Sequence, residues 1–158
     1  MSIYFSTSLY FIHGAMHRSS FLYKHIHKRH HSYHATVGFA AQYAHPLEGL
    51  ASSMHVVGAL VFVQPHFITY CLFLATTMTE IVDSHCGYDV PWSFLFPWAG
   101  CYPWGAGALM HDYHHSHNLG TYGGGLLGLW DWLFGTDADY RAFCTKAAAS
   151  RGSAEKLE

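Results

Sequence analysis

The sequence predicts an all-α chain: a helical hairpin embedded in a membrane, with histidine-bearing helices gathered on one side of it. Three observations carry this. Between Gly49 and Thr79 there is no Asp, Glu, Lys or Arg. Every Lys and Arg lies either before that stretch (Arg18, Lys24, Lys28, Arg29) or well after it (Arg141, Lys146, Arg151, Lys156). Finally, the pattern H-x2-HH occurs twice, at 27–31 and at 111–115, once on each side of the apolar stretch. The length of 158 residues corresponds to one domain, here residues 1–146. A small, polar tail, "AAASRGSAEKLE" at 147–158, is expected to be disordered.

In chain order, "MSIYFSTSLYFIHGAMHR" reads as an apolar helix with His13 and His17 four residues apart near its end. It has no basic segment ahead of its apolar residues, so it does not read as a cleavable signal peptide. "HKRHH" follows; at about 100° per residue a helix would put His27, His30 and His31 on one face. The apolar stretch comes next. As a single straight helix it would run about 46 Å at about 1.5 Å per residue, longer than a hydrocarbon core of about 30 Å. Pro65 in "FVQPHF" breaks it, giving two arms at 47–63 and 66–84. Two crossings return the chain to its starting side, and the basic residues at both ends place that side in the cytosol. "DSHCGYD" then carries His85 and Asp89, and "PWSFLFPWAGCYPW" at 91–104 reads as an aromatic belt at the membrane interface. "HDYHH" sets His111, His114 and His115 on one helical face, and "LWDWLFGTD" reads as a closing helix packed beneath them.

Composition narrows the function. Charged residues make up 11% of the chain and the formal net charge is −2, so there is no basic footprint for a nucleic acid. The four cysteines are widely spaced and form no CxxC pair, which argues against a disulfide scaffold or a thiolate zinc site and fits a reducing compartment. No haem-attachment or iron–sulfur pattern is present. "GGGLLG" at 123–128 matches G-x-G-x-x-G but follows no strand–helix–strand unit, so it does not read as a nucleotide site. Fifteen histidines remain to be explained. Any one alone reads as a satisfied core or surface residue, and His25, His34, His55 and His66 are read that way. The ordered set His13, His17, His27, His30, His31, His85, His111, His114 and His115 is too large for one tetrahedral ion. It suits two metals, each with four or five imidazoles and room for an outside ligand. His45 in "YAHPLE" and His117 are candidates for orienting those ligands.

The segments "HGAMHRSSFLYKHIHKRHH", "YAHPLE", "HCGYDVPW" and "HDYHHSHNLGTYGG…LWDWLFGTD" resemble the sterol desaturase/fatty acid hydroxylase superfamily, in order and interval, from residue 13 to about 137. They look most like the C-4 methylsterol oxidase and cholesterol 25-hydroxylase branches. The resemblance implies a membrane di-iron oxidoreductase of the endoplasmic reticulum with its metal site on the cytosolic side. It also implies O2 as co-substrate and electrons from cytochrome b5 or an NAD(P)H-dependent reductase. It carries the metal ligands onto the nine histidines of the ordered set. Asp89 falls where a related branch has a second histidine, which leaves it a ligand, an acceptor orienting a ligand, or neither. The ions implied are two irons, with zinc a possible substitute. Lys24, Lys28 and Arg29 are read either as a dock for an acidic electron donor or as a membrane-surface anchor.

The implied reaction is hydroxylation of a lipid C–H bond, with a sterol methyl group as the leading substrate. Fatty acyl, sphingoid or carotenoid chains, hydroxylated or desaturated, are the alternative. Members of the superfamily usually carry further membrane helices before the first histidine pair, whereas only twelve residues precede His13 here. This leaves an N-terminally truncated chain, a divergent minimal member, or a non-catalytic metal-binding membrane protein.

Overall fold

The computed structural model describes residues 1–88, 107–123 and 128–154, the last few without their side chains. Asp89, the aromatic stretch 91–104 and most of "GGGLLG" lie outside the described residues. Everything regular that is described is helical. In order these are α1 (Ser2–Arg18), α2 (Ser20–His25), a 3-10 segment (His27–Ser32), a second one (Gly38–Gln42), α3 (Pro46–Val63), α4 (Phe67–Ser84), α5 (Ala108–His117), α6 (Leu129–Phe134) and α7 (Ala138–Ala154).

Local chemistry sets the boundaries. Ser19 ends α1 and caps α2, its hydroxyl accepting from the Leu22 N–H at 3.3 Å. Pro46 opens α3 from the first helical position, where a missing N–H costs nothing. Gln64 closes α3 in the left-handed region (φ 46°), and Pro65 keeps the helix from resuming. His66 then caps α4 through the Ile68 N–H, so the break falls where the sequence predicts it. Asn118 (φ 56°) ends α5 in the same left-handed manner.

One expectation needs correction. The first H-x2-HH is not α-helical: His27–Ser32 is a 3-10 segment. Histidine is a modest helix former, and six residues held by the burial of their side chains can take the tighter turn. At the other end, the first part of the small, polar tail belongs to α7, and 155–158 lie outside the described residues. α7 continues through Ala154, because alanines at 147–149 favour the helix the preceding residues have begun.

α1 packs against α2, α3 and α6, while α4 packs against α5 and the Gly38–Gln42 segment. Among the described residues, α3 is the one helix long and apolar enough to cross a membrane. It has 18 residues with a mean hydropathy of 1.4, of which 17% are buried. Leu50, Met54, Val57 and Val61 stand exposed along it. α4 has the same length, but Glu80 and Asp83 sit near its end, and it does not meet that standard. Exposed apolar surface of this extent is unusual for a protein surrounded by water.

Candidate metal centre

All nine histidines singled out from the sequence converge, and they divide into two groups. His13, His17, His27, His31 and His114 form one; His30, His85, His111 and His115 form the other. Within each group the potential ligand atoms lie within 4.8 Å of one another. The division cuts across the motifs. In each H-x2-HH the outer pair, four residues apart, stays together, while the middle histidine joins the partner motif's group. His30 thus joins His111 and His115, and His114 joins His27 and His31. The two groups adjoin: the His31 and His115 rings stack with centroids 4.5 Å apart.

The orientation of each ring fixes which nitrogen it offers. The His13 Nδ1–H donates to the Tyr122 carbonyl at 2.7 Å and the His114 Nδ1–H to the Gly120 carbonyl at 2.6 Å. The His27 Nδ1–H donates to Glu48 Oε1 at 2.8 Å, a pair buried on both sides. In the second group, the His85 and His115 Nδ1–H groups donate to the carbonyls of Ile81 (2.8 Å) and Tyr33 (3.2 Å). A neutral imidazole with its proton on Nδ1 presents a bare lone pair at Nε2. Those lone pairs point at one another. Nε2 of His13 and His27 are 3.1 Å apart, those of His27 and His17 2.8 Å, and those of His85 and His111 2.9 Å. Nε2 of His114 is buried with no hydrogen-bond partner among the described residues.

Protonating the rings would not relieve this repulsion. Burial pushes every one of the clustered rings below the usual range, reinforced by neighbouring imidazoles at all but His85, where the hydrogen bond to the Ile81 carbonyl partly opposes it. His115 falls to about 4, His114 to about 3, and His27 and His30 to about 2. Buried, neutral, converging lone pairs are satisfied by a cation, so the residues present fit a metal in each group. An all-imidazole donor set accepts iron and zinc alike.

Three carboxylates that the sequence did not single out hold this arrangement. Glu48, in "YAHPLE" on the first turn of α3, orients His27. Asp131, fully buried in α6, accepts from the Tyr122 N–H (2.7 Å), the Gly123 N–H (2.6 Å) and the Thr136 hydroxyl (2.6 Å). It thereby fixes the loop whose carbonyls orient His13 and His114. That loop runs through the left-handed region at Asn118, Gly120 (φ 43°) and Thr121 (φ 53°). A side chain at Gly120 would collide with the Thr136 carbonyl. Asp112, within "HDYHH", accepts from the Thr36 N–H and hydroxyl at 3.0 and 2.8 Å, tying the segment after His31 to α5. The available signal was a lone acid within an apolar or histidine-rich run; the partners lie 5 to 76 residues away.

The other candidates fall elsewhere. His45 caps α3, its Nδ1 accepting from the Leu47 N–H at 3.2 Å, while His117 bonds the Tyr113 carbonyl and stacks on the Tyr113 ring. Neither bonds a clustered imidazole among the described residues. His25, His34, His55 and His66 belong to neither group.

A cavity of about 610 Å³ opens between α1, α3 and α4. Phe5, Leu9, Ile12 and Val56 supply apolar wall, and His13, His30, His85 and His111 stand at the end where it meets the imidazoles.

The sequence model of the family described as "Fatty acid hydroxylase" matches residues 1–136. The chain belongs to that family. Its relatives include methylsterol monooxygenase 1 of Rattus norvegicus, 36% identical over 87% of this chain and 45% of the relative. Methylsterol monooxygenase 2-2 of Arabidopsis thaliana is 37% identical over 86% of this chain and 50% of its own. The very-long-chain aldehyde decarbonylase GL1-8 of Oryza sativa subsp. indica is 36% identical over 94% of this chain and 53% of its own. The chain spans about half the length of these family members. No solved structure matches it.

Proposed function

We propose that the chain is the metal-holding part of a membrane di-iron oxygenase that hydroxylates a lipid C–H bond, with a sterol methyl group as the leading substrate. The observation that carries this reading is the apolar cavity ending on imidazoles of both groups. The nine histidines would hold two irons, which when bound supply the O2 activation that attack on an unactivated C–H bond requires. The chain's own part is to orient the rings through Glu48 and the Gly120, Tyr122, Ile81 and Tyr33 carbonyls. Its apolar walls exclude water and seat the lipid. Three of the four imidazoles in the smaller group line the cavity, so a lipid carbon is presented chiefly to that group.

The exposed apolar face of α3 supports a membrane seat, and the endoplasmic reticulum with a cytosolic metal site accords with the placement of the basic residues. Electrons would arrive from cytochrome b5 or an NAD(P)H-dependent reductase. Two family members act by name on methylsterols and a third by name on very-long-chain aldehydes. The near-equal identity to the third supports a second reading, in which the substrate is a long acyl-type chain.

The test is reconstitution in membranes with cytochrome b5, its reductase and NADPH. The proposal expects about two irons per chain and O2 uptake coupled to oxidation of a 4-methylsterol. Product from long-chain acyl lipids alone would favour the second reading. Bound iron without product from either would instead leave a non-catalytic metal-binding protein.

A further inference from the structure

On the α4 side, the cavity wall carries a carboxylate that the chemistry above does not use. Thr77, Glu80 and Ser84 stand at i, i+3 and i+7, a single helical face, and all three line the cavity. Ser84 is committed, its hydroxyl bonding the Ile81 carbonyl at 2.9 Å and meeting His85 Nδ1 at 3.0 Å. Glu80 is not. Glu48, Asp112 and Asp131 each receive donors, whereas no N–H or O–H among the described residues donates to Glu80. Glu80 precedes His85 by five residues, about 7.5 Å of helical rise, so a group bound to it lies close to the imidazoles. Phe5, Leu9, Ile12 and Val56 contribute apolar surface from α1 and α3. A carboxylate in such surroundings is costly unless a donor reaches it, so an apolar-walled cavity that ends on one invites a ligand with an N–H or O–H to give.

We propose that Glu80 accepts a hydrogen bond from a hydroxyl of the lipid substrate, whose apolar body lies against α1 and α3. This rests on the lipid-oxygenase reading and sharpens it. The hydroxyl and the carbon presented to His30, His85 and His111 are then near neighbours on the substrate. Lipids bearing a hydroxyl donor are selected over those whose polar group only accepts, such as aldehydes, esters and ethers. A 4-methylsterol meets the condition, since its hydroxyl carbon adjoins the methylated carbon; a long-chain aldehyde does not.

The experiment is competitive binding to the full chain in lipid nanodiscs. A fluorescent sterol or a fluorescent long-chain alcohol is displaced by a 4-methylsterol, a long-chain alcohol, or the methyl ether of either. Burial, and then the neighbouring Asp83, push the Glu80 carboxyl up to about 7, so binding is measured at pH 8.5, where it is ionised. Wild type is then expected to bind the alcohol about tenfold more tightly than its ether, the scale of one hydrogen bond to a charged acceptor. Glu80→Leu should bring that ratio to about one. Glu80→Gln, which conserves shape and serves if the leucine variant does not fold, should fall between. Bound metal should be unchanged in both. An alcohol-to-ether ratio that persists in the variants, or is absent in wild type, overturns the role of Glu80 while leaving the sterol reading standing if sterols bind. Binding of the long-chain alcohol alone, with its ratio lost in the variants, keeps Glu80 and overturns the sterol reading. Failure of wild type to bind either skeleton overturns both.

Discussion

Five imidazoles meet between α1, the His27–Ser32 segment and α5, and four meet between that segment, the end of α4 and α5. The larger group is held from a distance: a carboxylate at the start of α3 and two loop carbonyls orient its rings, and Asp131 locks the loop. The smaller group relies on the carbonyl of Ile81, within its own helix, and on that of Tyr33, and three of its four rings line the cavity. The better-braced group therefore contributes only His13 to the cavity wall, and the group with one ring fewer meets the substrate space. On the proposed reading this is a division of labour, with one ion held fast and the other left accessible to O2 and lipid.

The largest expected effect breaks the larger group. His114→Ala removes a wholly buried ring with an unpaired Nε2, and should lower iron from about two per chain to about one and abolish turnover. Iron analysis of the purified variant checks it; full activity with intact metal would remove His114 from the ligand set. Glu48→Ala acts on the same group through His27, and should weaken its ion about 10- to 100-fold while sparing the other. Competition with a graded chelator measures both affinities.

Asp131→Ala leaves two loop N–H groups and the Thr136 hydroxyl without their acceptor and should cost about 3 kcal/mol of stability. Thermal unfolding checks this, and the loss of metal should again fall on the larger group.

Acid should act on both groups. In the metal-free protein the folded rings titrate at about 4 (His115), about 3 (His114) and about 2 (His27, His30), below the ordinary 6.5. The folded state stays neutral where the unfolded chain takes up protons. The stability contribution is therefore full above about pH 6.5 and is lost progressively as the pH falls from there towards 4 and below. Unfolding midpoints across pH 7.5 to 4.5 should decline with falling pH, and a flat profile would contradict the burial of neutral rings. The smallest effect belongs to His45→Ala. It should cost about 0.5 kcal/mol through the lost α3 cap and leave iron content unchanged.

Much of this centre was legible in the sequence. The spacing of four in His13/His17, His27/His31 and His111/His115 places each pair together, as found. Pro65 gave away the break between α3 and α4. The crossing-over of His30 and His114 was not legible, because periodicity gives the angle of a side chain about its own helix and not the neighbour it meets. The roles of Glu48, Asp112 and Asp131 were hidden for a related reason: each is defined by a group distant in sequence, often a backbone amide that no residue type announces.

The most direct measurement compares His30→Ala with His31→Ala, neighbours in the chain that the structure assigns to different groups. Mössbauer spectra and iron counts of the two variants, loaded with 57Fe, should each show loss of about one of two irons, with a different iron surviving in each. Loss of the same iron in both variants, or retention of both irons in either, would contradict a centre built from two separate sets of imidazoles.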